Sequence, residues 1–289
     1  MTSPTRCIAR TIALCVAGLC VAGCQRHMPA DPLPNVELAR SLRAGGGQST
    51  GRTTVVATGT GWGSLKGVFH FAGDVPTAGV LSTGGKDVAV CGQDIPIQTL
   101  VVDRSTKGIA NIVVYARKVS RISDEAKKEA PRKVEFDQKH CLFLSHVLAT
   151  ESKHTIIVKN SDPISHNTSI TPPGQQGINP LLPAGGEAEY KFAKAVAVPV
   201  DVTCSIHPWM KAYIMARDDP YFAVTGADGS FEIPNLPAGE DIEFQIWQER
   251  PGINLDIPGL ATKGRFKRKI PENGVEDLKV IEVPAAALK

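Results

Sequence analysis

Apolar and polar residues alternate in short runs along most of the chain, and clusters of Gly, Pro, Asn, Asp and Ser separate the runs. Alternation with a period of two predicts half-buried strands, and the turn clusters predict the bends between them. Strands are expected at 67–71, 98–102, 109–116, 133–136, 141–144, 147–149, 155–159, 188–192, 198–203 and 212–216. Helical periodicity is weak. One turn is expected at 124–130, inside a charged stretch (117–132) that reads as a solvated excursion, and a brief one at 36–43. Short strands at turn-rich spacing predict an all-β sandwich or barrel.

The pattern changes after residue 218. In 221–239 (YFAVTGADGSFEIPNLPAG), Asp228-Gly229 sits at a turn, Phe231 and Ile233 alternate, and Leu236-Pro237 leads through Gly239 into a strand at 241–247. Read locally, this is a β-hairpin followed by a strand with one buried face. The segment resembles the carboxypeptidase regulatory-like, transthyretin-like β-sandwich, whose modules bind or brace and carry no chemistry themselves. Features of that family recur near 61–67, which leaves open that two β-units interleave; residue 218 is a working boundary.

Composition adds limits. Of 289 residues, 27 are Gly and 21 are Pro, which favours turns over a helical bundle. Net charge is +3 and no basic run is dense enough for nucleic acid, which is excluded as a partner. Residues 1–23 combine Arg6 and Arg10 with a short apolar run, 12–23, the form of a secretory signal. The run ends in Val21-Ala22-Gly23-Cys24, which resembles the lipobox of bacterial lipoproteins. That resemblance implies cleavage before Cys24, lipidation of its thiol, and an exported protein anchored to a bacterial membrane. Gln25 weakly favours the outer membrane where there is one. Residues 24–60, polar and rich in Gly, Ser and Thr, then read as a flexible tether. Cys7, Cys15 and Cys20 would leave with the signal, so Cys91, Cys141 and Cys204 remain. Outside the cytoplasm disulfides persist. Three thiols are an odd number, and a Cys91–Cys141 pair would leave Cys204 free.

The chemistry gathers at Cys204-Ser205-Ile206-His207-Pro208-Trp209-Met210, which places a thiol, an imidazole and a thioether at three-residue intervals after the strand at 198–203. A second imidazole, His166, follows the strand at 155–159 and precedes Asn167. Two imidazoles and a thiolate around a weak axial thioether suit a mononuclear copper ion that changes oxidation state with little rearrangement. The residues 150–217 resemble cupredoxins, the blue copper proteins of amicyanin- and plastocyanin-like type, and most nearly the amicyanin-like members, which share the short Cys-x-x-His-Pro-x-Met loop where plastocyanin-like members space His and Met further apart. The resemblance implies a cupredoxin-like Greek-key β-sandwich over 61–217, with a smaller transthyretin-like unit over 218–289. It implies His166, Cys204, His207 and Met210 as ligands of one type 1 copper, and Asn167 bonded across to the ligand loop. Pro208 and Trp209 would form an apolar rim through which an exposed His207 edge meets a redox partner.

Rival chemistries lack their residues. The seven histidines are at 27, 70, 140, 146, 154, 166 and 207, with no His-x-His pair for a trinuclear copper cluster. A binuclear copper centre needs two cysteines in one loop, and the loop holds only Cys204. Zinc seldom takes a thioether. Asp103, Glu135 and Asp162 show no paired-carboxylate logic, and His146 reads as a structural histidine. The expectation is a tethered single-electron carrier with no turnover of its own. The alternatives are a β-sandwich adhesion, carbohydrate-binding or scaffold lipoprotein with a structural or lost metal site, or a copper carrier or store.

Overall fold

The computed structural model describes residues 57–289; Cys24, the turn expected at 36–43 and nearly all of the tether lie outside the described residues. The chain forms the all-β sandwich architecture that its alternation predicts. In order, the first strands are β1 (Trp62–Ala72), β2 (Val80–Ser82), β3 (Asp94–Pro96) and β4 (Val113–Ala116), with a single turn of helix α1 (Val88–Cys91) between β2 and β3. A second short helix, α2 (Asp124–Lys128), leads to β5 (Lys133–Lys139), β6 (Leu142–Phe143), β7 (Val147–Glu151) and β8 (Thr155–Asn160). Then come β9 (His166–Asn167), β10 (Ser169–Ile170), β11 (Leu181–Leu182), β12 (Glu187–Tyr190), β13 (Val200–Thr203) and β14 (Lys211–Arg217). The last are β15 (Phe222–Val224), β16 (Ser230–Pro237), β17 (Asp241–Trp247), β18 (Arg265–Lys269) and β19 (Val275–Pro284).

Two sheets, β10-β13-β14-β7 and β12-β8-β5-β6, face each other. Their inward residues, among them Phe136, Phe143, Ile156, Val158, Ile170, Val202 and Ile214, make one buried cluster. Two further sheets, β16-β1-β19 and β15-β4-β17-β18, enclose a second cluster that includes Leu65, Phe69, Val114, Ile233, Phe244 and Ile281. Strands from both sides of residue 218 share these two sheets: β1 pairs with β16 and β19, and β4 pairs with β15 and β17.

The β4 strand joins the two cores. All four of its residues are buried, with Val114 and Ala116 in the second cluster and Val113 and Tyr115 in the first. Because side chains alternate across a strand, this sheet is covered on both faces. Residues of β14 meet it: the Tyr213 and Trp247 rings are 4.9 Å apart, and the Arg217 guanidinium lies over Tyr115 while donating to the Ala116 carbonyl at 2.8 Å.

Three local expectations change. The turn at 226–229 does not close a hairpin, since β15 pairs with β4 and β16 pairs with β1. Gly229, at φ 79°, takes the left-handed turn, and a Cβ there would lie 2.2 Å from the Phe69 carbonyl oxygen. The turn residues fix the local bend but not the partner, and burial of Phe231 and Ile233 draws the second arm into the opposite sheet. The run 98–102 forms no strand beyond a bridge from Val102 to Ile109. The Thr99 carbonyl is taken by Gln248 Nε2 instead, and Asp103 accepts from the Ser105 and Thr106 amides, turning the chain back at once. The charged excursion is anchored rather than solvated: Arg121 donates to the carbonyls of Gly59, Gly61 and Ala238 and pairs with Glu240, while buried Ser123 caps α2.

Candidate metal centre

The site is built at one end of the first sandwich. Strand β13 delivers the chain to Cys204 and β14 receives it at Lys211, so the intervening loop must fold over the sheet end. The loop closes on itself: the Met210 amide donates to the His207 carbonyl at 2.9 Å and the Cys204 amide donates to the Met210 carbonyl at 3.3 Å. From the other sheet, β8 ends at Asn160, whose side-chain amide donates to the carbonyls of Ile164, Leu182 and Pro183. Those bonds shape the bend that carries His166 into β9, where it pairs with Leu182 of β11.

Cys204 Sγ and one nitrogen each of His166 and His207 all lie within 4.8 Å of one another, and all three residues are buried. His166 Nδ1 and His207 Nδ1 stand 2.9 Å apart, and Cys204 Sγ is 4.0 Å from His207 Nδ1. Met210 is fully buried in the cluster that also holds Cys204. Cys91 and Cys141 are joined in a disulfide, and Cys204 is the free thiol among the described residues.

Asn167 organises the loop from the side. Its Oδ1 accepts from the Ser205 amide at 2.8 Å, the Ser205 hydroxyl at 2.9 Å, the Ile206 amide at 3.3 Å and the Cys204 thiol at 3.4 Å. Its own amide donates to Asn179 Oδ1 at 2.6 Å.

Two carboxylates complete the centre, and neither was expected to take part. Asp162 Oδ2 is 2.8 Å from His166 Nε2, and Asp87 Oδ2 is 2.9 Å from His207 Nε2. Asp162 also accepts the backbone amides of His140 and Cys141, which form the two-residue turn between β5 and β6 with φ 54° at both positions. Left-handed backbone at two non-glycine residues is strained, and the carboxylate holds it. Asp87 is likewise left-handed, at φ 50°, at the start of α1. Asp162 stands four residues before His166, a spacing that could have been noticed; Asp87 lies 120 residues from His207 and leaves no local sign.

The donor chemistry tests whether a metal fits. An imidazole Nε2 facing a carboxylate carries its hydrogen there, which leaves Nδ1 as a bare lone pair. Two such lone pairs then face each other beside a thiol, an arrangement that a bound cation satisfies. A proton is a poor candidate at His166: burial first, and the neighbouring His207 second, hold its imidazole below the usual range, against the raising effect of Asp162. A cation bound by two nitrogens and a thiolate fits. Such a set suits copper or zinc rather than calcium or magnesium.

One expectation about this centre is corrected. His207 has no exposed surface, so no His207 edge reaches the solvent. It is covered by the segment that carries Asp87 and α1, which Lys86 ties down by donating to the Ile206 carbonyl and the Cys91–Cys141 bond ties to the β5–β6 turn. Trp209 lies half-buried with its ring 5.1 Å from His207 and donates from Nε1 to the Cys141 carbonyl at 3.2 Å.

Compared with known proteins, the chain matches no protein-family model and no curated protein. Among solved structures it is similar to the Cu-containing nitrite reductase (NirK) from Thermus scotoductus SA-01, at 24% identity and a TM-score of 0.28 over 33% of this chain. This chain covers 24% of that enzyme. It is also similar to the reduced Cu(I) form at pH 4 of one amicyanin variant, at 17% identity, a TM-score of 0.27, and 36% of this chain against 98% of that one. A second reduced amicyanin variant gives 17% identity and a TM-score of 0.28 with the same coverage. These likenesses extend over about a third of this chain.

Proposed function

We propose that the protein is an exported, lipid-anchored copper protein of the cupredoxin type that passes single electrons between partners outside the cytoplasm. The observation that carries this reading is the convergence of His166 Nδ1, His207 Nδ1 and the free Cys204 thiol, with each outer imidazole nitrogen held by a carboxylate. His166, Cys204 and His207 would hold one mononuclear ion, with Met210 as the axial thioether. When bound, copper supplies the one-electron couple. The chain's own part is to fix the nitrogens, present the Cys204 sulfur beside them, and exclude water from a fully buried pair of imidazoles. Anchoring rests on the Val21–Cys24 sequence, and the redox partner would be a protein.

Copper carriage or storage is a second reading, and the full burial of His207 favours it, because a covered ligand suits retention of the ion more than rapid exchange of electrons. Adding copper(II) to the chain from Gln25 onward and recording visible absorption and electron paramagnetic resonance tests the site. An intense thiolate-to-copper band that disappears in Cys204→Ser is expected; a colourless protein that retains no copper would overturn both readings. Reversible voltammetry of the loaded protein then separates electron transfer from storage.

A further inference from the structure

At the other end of β7 and β14 lies a second cluster that the copper reading does not use. β7 ends at Glu151, residues 152–154 turn, and β8 begins at Thr155, so this turn carries the chain from one sheet of the sandwich to the other. Lys211, beside the ligand loop, and Arg217, opposite Glu151, are the two ends of β14. Six steps at about 3.3 Å per residue separate them by roughly 20 Å.

His154 in that turn is 2% exposed. Its Nδ1 is 3.1 Å from the Thr150 hydroxyl, while its buried Nε2 has no hydrogen-bond partner. Neither tautomer mends this: as N–H, Nε2 finds its nearest carboxylate oxygen, Glu151 Oε1, at 3.8 Å, and as a lone pair it finds no donor. A buried polar group left in that state is costly and calls for a partner. Two candidates lie close by: one ring nitrogen of His154 and one carboxylate oxygen each of Glu151 and half-buried Glu129 are within 4.8 Å of one another, and it is Nε2 that stands 3.8 Å from Glu151. Glu129 stands at the C-terminal end of α2, the helix that Ser123 starts, so the anchored excursion brings it there.

We propose that Glu129, Glu151 and His154 form a binding site for a divalent transition-metal ion of the zinc class. The donor set decides the class. One imidazole nitrogen and two carboxylates suit zinc, with a position left for water, whereas calcium and magnesium prefer oxygen alone. Burial, the largest influence, holds His154 below the usual imidazole range despite the Glu151 charge, so the ring is neutral and able to ligate. A Thr150 hydroxyl accepting from Nδ1–H would fix the tautomer that bares Nε2, the role outer hydrogen bonds play at zinc sites. The two carboxylates are otherwise matched by cations, Arg132 to Glu129 at 3.0 Å and Lys153 to Glu151 at 3.3 Å. The Arg132 side chain is 66% exposed and can swing into solvent at little cost. Bound here, the ion would clamp the 117–132 excursion to the sheet-crossing turn.

Zinc binding to the full mature chain, followed by equilibrium dialysis with elemental analysis, tests the site by difference. One zinc equivalent should survive Cys204→Ser, disappear in His154→Gln, and weaken at least tenfold in Glu129→Gln. Zinc should also raise the melting temperature of Cys204→Ser, and not of Cys204→Ser combined with Glu129→Gln. If far-UV circular dichroism shows that His154→Gln does not fold, the Glu129→Gln arm decides alone, since that residue is half-buried at a helix end. The same zinc stoichiometry and affinity in Glu129→Gln as in the parent, or no zinc retained by Cys204→Ser, would overturn the proposal.

Discussion

Asp87 places a carboxylate oxygen 2.9 Å from Nε2 of His207, across 120 residues of sequence, and in doing so covers the side of the proposed metal centre that the 204–210 loop alone would leave open. The aspartate is 40% exposed at its side chain while the imidazole beneath it has no exposed surface. It therefore acts on two properties together: the orientation of the imidazole and its access to solvent. Removal separates these. Asp87→Ala should weaken copper binding by about 10–100-fold, read by competition with a chelator of known affinity. It should also speed the reaction of the loaded protein with a small soluble reductant, read by loss of the visible band. Unchanged affinity and rate would remove Asp87 from the centre.

The Cys91–Cys141 bond should matter to the whole fold and to the centre. It closes a span of 50 residues, for which the chain-entropy relation gives about 4 kcal/mol. For a chain of this size that corresponds to a fall in melting temperature of about 8–16 °C in Cys91→Ala/Cys141→Ala. Cys91 stands four positions after Asp87, and the Cys141 amide donates to Asp162, so the bond links the supports of both imidazoles. Copper affinity should fall along with stability. A double variant that melts like the parent would contradict the assignment.

Asn167 can be tested without touching a ligand. Its Oδ1 accepts from three donors of Ser205 and Ile206 and from the Cys204 thiol. Asn167→Ala strands two loop amides and should cost about 1–3 kcal/mol in urea unfolding of the metal-free chain. Because the loop then loses its brace, copper release to a chelator should accelerate as well.

Stability should depend on pH through Glu249. Burial pushes its carboxyl upward, but the hydrogen bond and charge of His146, with help from the Tyr213 hydroxyl and Lys211, hold it below the usual carboxylate range. His146 Nε2 is 2.6 Å from one oxygen and the Tyr213 hydroxyl donates to the other at 3.0 Å. A folded value below the unfolded one means that the contribution is present above about pH 4.3 and is lost as pH falls through the folded value. Glu249→Gln should thus be less stable than the parent at neutral pH, by about 1–3 kcal/mol. The difference should shrink as the solution is acidified below about pH 4, as followed by chemical unfolding at each pH.

How much of this could be read in the sequence follows from where each interaction is encoded. The strands β13 and β14 and the loop between them are local, so alternation and spacing place Cys204, His207 and Met210 directly. Asn167 lies next to His166, but its reach across to Ser205 spans 38 residues and was legible through the family resemblance, not from the local stretch. Asp162 is four residues from His166, but its role depends on the fold of the β5–β6 turn, whose two amides it also binds. Asp87 is set by a separate excursion with its own disulfide, and nothing near residue 207 encodes it. The burial of His207 is not legible in the sequence for the same reason. The turn at 226–229 shows the same limit from the other side: Gly229 specifies a bend, while the choice of partner strand belongs to the core around Phe231 and Ile233.

The pairing of β1 carries a consequence for the order in which the chain can assemble. Its two neighbours, β16 at Ser230–Pro237 and β19 at Val275–Pro284, both follow the whole of the other sandwich in sequence, so β1 has no strand partner until β16 has emerged. The strands of the sandwich behind the ligand loop, from Lys133 to Arg217, have no such wait. Pairings this distant in sequence form slowly, and an open edge invites association with other chains in the meantime. Loss of Val275–Pro284 by truncation would therefore harm β1 first: it would strip that strand of one partner and leave its edge open to other chains.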